Sequence, residues 1–146
     1  MKEELITIET AKLAKKKGFD LKVKECFSLG LIPPDEGTLK SFTNIKPANF
    51  NKFNDVWSRP THSLLQRWLR EVHKLNVEVE FDYAYEIDEG KGNYSDAIFK
   101  VKIADISNPK KYNVIAPNWQ RKDGNQFTYE GALEKGLIEA LKLIKK

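Results

Sequence analysis

One cysteine, one methionine and no long apolar run leave this 146-residue chain without the means for several activities. With Cys26 alone no internal disulfide forms, and nothing points to an oxidising compartment. No window approaches the roughly eighteen consecutive apolar residues of a membrane-spanning helix. The opening residues, Met1 to Thr7, lack the apolar core of a secretory signal. A cytoplasmic protein without a membrane partner is therefore expected.

The catalytic alphabet is equally thin. There is no Gly-x-x-x-x-Gly-Lys phosphate loop, no Gly-x-Gly-x-x-Gly after a strand and no His-Glu-x-x-His. Only two histidines occur, and His62 and His73 are 11 residues apart on an expected helix. At the usual rise that is about 16 Å, too far to share one ion. Cys26 has no fixed basic neighbour and reads as an inert thiol. Glu78, Glu80, Asp82 and Glu86 could in principle work as acid and base, but a solvated strand matched by lysines has the same sequence. No catalytic residue, metal or cofactor is expected, and an enzyme with a dispersed carboxylate or histidine site is the disfavoured alternative.

What is present is enough apolar material for a core, 40% of residues, and a formal charge of only +4. Residues 1–60 carry 11 basic and 8 acidic side chains, the remainder 14 and 13. The later part is nearly neutral, which permits nucleic-acid contact without predicting it. At this length one domain spanning 1–146 is expected.

Thr7 is placed to cap a helix running to about Lys17, with Ile8, Ala11 and Ala14 on one face. Gly18 suits the left-handed residue that stops it, and Phe19 can fold back on the last turn. The Lys15 to Lys17 run then suits the helix dipole. Leu21 to Leu29 has moderate strand character. From Thr38 to Trp57 the chain is polar, broken by Pro47, yet holds Phe42, Phe50, Phe53 and Trp57. That combination predicts an irregular layer pinned by aromatics. Residues 1–59 are thus expected as a helix and an irregular segment packed on a core of residues 60–146.

The core is better patterned. After Pro60, in the expected first turn, Leu64, Leu65, Trp68, Leu69, Val72 and Leu75 recur at the spacing of one buried helix face. From Val77 to Asp88 apolar and mostly acidic residues alternate with a period of two. A second strand through Phe99, Val101 and Ile103 can pair with it, setting Lys102 opposite Glu80, Lys100 opposite Asp82, Val101 opposite Phe81 and Phe99 opposite Tyr83. Tyr112 to Ala116 reads as a third strand. Thr128 can cap a last helix striped by Leu133, Leu137, Ala140, Leu141 and Ile144, with Gly136 allowing close approach to the sheet. The expected fold is α+β, a three-stranded antiparallel meander covered by two helices.

Two features could serve nucleic acid. Arg67, Arg70 and Lys74 form a basic stripe on the helix after Pro60, and the loop holding Trp119, Arg121 and Lys122 joins a stacking ring to two cations. A solvated helix face and a tryptophan folded inward account for the same residues. The order helix, three strands, helix resembles a double-stranded-RNA-binding domain. Such domains set lysines at the start of the last helix, where Thr128 to Lys135 instead includes Glu130 and Glu134. A shared fold would not imply a shared RNA surface.

Three further segments, Thr10 to Phe19, Pro60 to Glu71 and Thr128 to Ile144, together resemble a family of small hypothetical proteins of Bacteroides-type gut bacteria and their phages or prophages. The resemblance implies a mobile-element origin and a cytoplasmic location. It brings no activity and no site residues. The expectation from sequence is a non-enzymatic binding module for a macromolecule, protein favoured over nucleic acid.

Overall fold

A computed structural model describes residues 2–30, 37–88, 91–108, 110, 112–115 and 128–145, with the side chains of 82–98 and 112–115 left out. The fold is α+β. Helix α1 (Ile8–Lys16) precedes strands β1 (Val23–Leu29), β2 (Leu39–Ala48) and β3 (Val56–Ser58); helix α2 (His62–His73) is followed by β4 (Leu75–Asp88), β5 (Lys91–Asp105), β6 (Tyr112–Ile115) and helix α3 (Tyr129–Leu143). The strands make two antiparallel sheets, ordered β2-β1-β3 and β4-β5-β6. The chain divides into two compact units, residues 1–68 with 141–146 and residues 69–140.

In the first unit Thr7 caps α1 as expected, its hydroxyl accepting from Thr10 N. Gly18, at φ 89°, ends the helix. Phe19 N donates to Ala14 O and Gly18 N to Lys15 O, the paired bonds that satisfy the last carbonyls of a helix closed by a left-handed glycine. Phe19 is thereby turned inward, where it is buried and meets Trp68 edge-on at 5.3 Å between ring centroids.

The segment expected to be irregular forms β2, a 3-10 turn at Phe50–Lys52 and β3. Side chains close the turn: Phe50 N donates to Ser58 Oγ, Asn51 N to Asn49 Oδ1, and Ser58 N to Asn51 Oδ1. Of the four aromatics expected to pin it, Phe50 is buried, Trp57 half-buried, and Phe42 and Phe53 exposed. β1 is the central strand, which explains why Val23, Cys26 and Phe27 are buried on it while β2 is exposed almost throughout.

Thr61, rather than a proline-led first turn, caps α2: Leu64 N donates to Thr61 Oγ1 and Leu65 N to Thr61 O. Pro60 precedes the cap and is buried. The N-terminal arm ties down this helix start. Ile6 N donates to Pro60 O, His62 N to Glu4 O, and the Glu3 carboxylate accepts from Ser63 N and Oγ. Those bonds from Ser63 hold the Glu3 carboxyl below its usual range. Leu65, Trp68 and Leu69 are buried, but Val72 is exposed, so the buried stripe stops before the helix does.

In the second unit the expected β4–β5 hairpin forms with a different register. Glu78 faces Lys102, Glu80 faces Lys100, Val79 faces Val101 and Phe81 faces Phe99, each two residues from the expected partner. Two causes combine. Asp88 pairs with Lys91, a tighter connection than the glycine-rich run suggested, and a bulge follows where Tyr83 faces Ala97 but Ala84 faces Ser95. The faces survive because a shift of two residues preserves the alternation. Val77, Val101 and Ile103 are buried on one face; Glu78 and Glu80 are exposed on the other.

Thr128 caps α3 through its hydroxyl and carbonyl, which accept from Gly131 N and Ala132 N. Gly136 seats α3 on the sheet: a Cβ there would overlap Val101 Cγ1 and lie 3.0 Å from Val77 Cγ1. Farther along, Phe81, Phe99 and Tyr129 form a run of edge-on rings at 5.6 and 6.0 Å. Gly136→Ala is expected to destabilise the protein by about 1–3 kcal/mol, the usual cost of overpacking, measured by urea unfolding. Adding Val101→Ala should recover part of that loss by clearing the overlap. Equal stability of Gly136→Ala and the parent would contradict this seating.

Candidate functional site

The cations are of two kinds. Some are committed to the first unit itself: Lys15 Nζ donates to the carbonyls of Phe53 and Val56, at 2.6 and 2.8 Å, and Lys17 Nζ to Ile144 O at 2.6 Å, just past the end of α3. Lys12 and Lys15 lie over the Trp57 ring at 5.1 and 5.6 Å, and Arg59 over Phe27 at 4.7 Å while its Nε donates to Ile6 O. These side chains order the backbone around β3 and the N-terminal arm. The Lys15 to Lys17 run thus includes two tethers as well as charges that suit the end of α1.

Others face solvent. Arg67 and Arg70 are placed one helical turn apart on α2, both exposed. Lys74 follows the helix at φ 58°, with its Nζ donating to Glu71 O at 3.0 Å. Its backbone carbonyl accepts from Ile106 N. Lys74 is therefore the left-handed residue that turns α2 into β4, a strained position for a side chain. The other half of the proposed nucleic-acid surface, Trp119, Arg121 and Lys122, lies outside the described residues.

Among the described residues no group of three His, Cys, Asp or Glu side chains could hold a metal ion. His62 and His73 mark the two ends of α2, as their spacing required. Cys26 is buried in β1, where loss of hydration, and then the Glu25 charge, push its thiol above the usual range. A thiol so shifted holds less thiolate near neutral pH and is a poor nucleophile.

Sequence reasoning missed the outer strands of the first sheet. β2 and β4, like the shorter β3 and β6, each end a sheet, and among the described residues no strand pairs with the outer sides of β2 and β4. Their ladders show which backbone groups face outward. Gly30 N donates to Thr38 O, so hydrogen-bonded pairs recur at Ser28/Lys40 and Cys26/Phe42, and Leu39, Ser41 and Thr43 turn N–H and C=O to the open side. Beyond Thr43 the strand bulges, four residues of β2 lying opposite Lys24 alone before Ala48 meets Val23. On β4, Ile106 N donates to Lys74 O, which by the same alternation directs Val77, Val79 and Phe81 outward.

β2 carries Lys40 and Lys46 and no acid; β4 carries Glu78, Glu80, Asp82, Glu86 and Asp88 and no base. On β2 the apolar Leu39, Phe42 and Ile45 are exposed by 37, 48 and 92%. No helix among the described residues is long and apolar enough to cross a membrane.

Fold and edges together define an α+β protein with two three-stranded antiparallel sheets. No protein-family model, curated protein or solved structure matches the chain. Lys74→Gly should raise stability by about 1 kcal/mol by relieving the left-handed strain. A fall in the urea midpoint would show that the Lys74 side chain contributes more than its backbone conformation costs.

Proposed function

We propose that the chain is a non-enzymatic binding module of phage or prophage type, acting in the cytoplasm on a macromolecular partner, with protein favoured over nucleic acid. The open rim of β2 carries this reading. An edge strand with three exposed large apolar side chains, Leu39, Phe42 and Ile45, offers apolar contact and outward-facing backbone in one place. Protein partners use both, by adding a strand to the sheet edge and seating alternate side chains. The three-part sequence resemblance supports the mobile-element part of the reading. The second reading, nucleic-acid binding, draws on Arg67 and Arg70.

The two readings separate in one experiment. The purified chain is used to recover partners from cells, alongside Phe42→Ser/Ile45→Ser and Arg67→Glu/Arg70→Glu variants. Loss of a bound protein by a factor of about ten or more in the first variant, the scale of one lost apolar side chain, fits the protein reading. Recovery of nucleic acid that falls steeply with salt, and is lost in the arginine variant, would replace it with the second.

A further inference from the structure

We infer that the face shared by α1 and residues 50–57 binds single-stranded nucleic acid, through a surface separate from the β2 edge. The inference goes beyond the protein-binding reading above and does not rest on it. Side-chain contacts lay the second segment along the helix. Asn51 Nδ2 donates to Phe19 O just past the end of α1, Lys15 Nζ in the last turn donates to Phe53 O and Val56 O, and Lys12 and Lys15 lie over the Trp57 ring. Residues 51–57 therefore run along residues 12–19 in the opposite direction.

Lys12 and Lys16 share one helix face, four residues and about 6 Å apart along the axis. Since Lys12 reaches Trp57, Lys16 in the same row lies toward Phe53 and Lys52. All four of Lys12, Lys16, Lys52 and Phe53 are exposed, Phe53 by 59%. An exposed ring flanked by cations is what single strands use: bases stack on the ring and phosphates meet the ammonium groups. The Trp57 ring holds the ammonium group of Lys12 in place, so less freedom is lost when a phosphate binds it. Lysines suit a flexible backbone, as point charges that take phosphates in many orientations, whereas phosphopeptide sites use planar arginine clusters. Over residues 9–20 and 50–57 five lysines meet three acids, Glu9 and Asp20 toward the two ends of the strip and Asp55 between Phe53 and Trp57.

Fluorescence anisotropy of a fluorescein-labelled oligothymidylate of about 16 nucleotides, titrated with the full chain over a range of salt, tests this. Engagement of Lys12, Lys16 and Lys52 should give a slope of log K against log salt of about −2. Lys16→Gln/Lys52→Gln should weaken binding at least several-fold and flatten the slope to about −0.7. Phe53→Ala should weaken binding about fivefold or more with the slope unchanged, the mark of lost stacking rather than lost charge. Asp55→Asn keeps a side chain that tolerates the backbone at φ 55° and removes the acid inside the strip, so binding should tighten. Circular dichroism checks that each variant is folded. A wild-type chain that leaves the anisotropy unchanged at low salt overturns the inference, as does binding that either Phe53→Ala or Lys16→Gln/Lys52→Gln leaves intact. Binding lost only in Arg67→Glu/Arg70→Glu also overturns it and assigns the contact to α2. None of these variants alters Leu39, Phe42 or Ile45, so the β2 reading stands or falls separately.

Discussion

The second sheet depends on one extra residue in β5. A strand shows opposite faces on successive residues, so the pairing set at the Asp88/Lys91 end would, if continued unbroken, bring Val79 opposite Lys100 and Val77 opposite Lys102. The bulge between Tyr83/Ala97 and Ala84/Ser95 moves the register by one and returns like to like. Val77, Val101 and Ile103 then share the buried face onto which Gly136 admits α3, and Glu78 and Glu80 line up with Lys102 and Lys100 on the other. The same phase decides which backbone groups of β4 bond to β5 and which face away from it.

The first sheet is organised differently. It has little buried surface on β2, and its order comes from polar bonds that fix short turns. Ser58, Asn49 and Asn51 close the 3-10 turn, and Lys15 anchors the carbonyls of Phe53 and Val56. Arg59 joins the strand end to Ile6 and lies over Phe27. Such contacts leave the outer strand with exposed hydrophobic residues beside lysines and a bulge that includes Pro47, devices that blunt an edge without covering it.

Elements stabilised by local chemistry were legible in the sequence. Thr7, Gly18, Thr128 and Gly136 each do what their residue type requires, since a cap, a left-handed stop and a close approach depend on a few neighbouring atoms. β2 was not legible, because alternation in sequence signals a strand only when one face is buried, and nearly all of β2 is exposed. The β4–β5 register failed by two residues for a related reason: pattern fixes phase, whereas turn length and bulge position fix the partner. The outward placement of Arg67 and Arg70 was readable from the helical stripe. The edge strands of the first sheet were not, since an edge is a property of strand order.

If the outward groups of β2 are a docking rung for a protein partner, their amides must sense that partner. Amide hydrogen exchange read residue by residue by NMR, with and without the partner recovered from cells, tests this most directly. The amides of Leu39, Ser41 and Thr43 should exchange fast in the chain alone and become protected when the partner is bound. That of Phe42, bonded to β1, should be protected in both. Exchange at Leu39, Ser41 and Thr43 that does not change on binding would contradict docking at this edge.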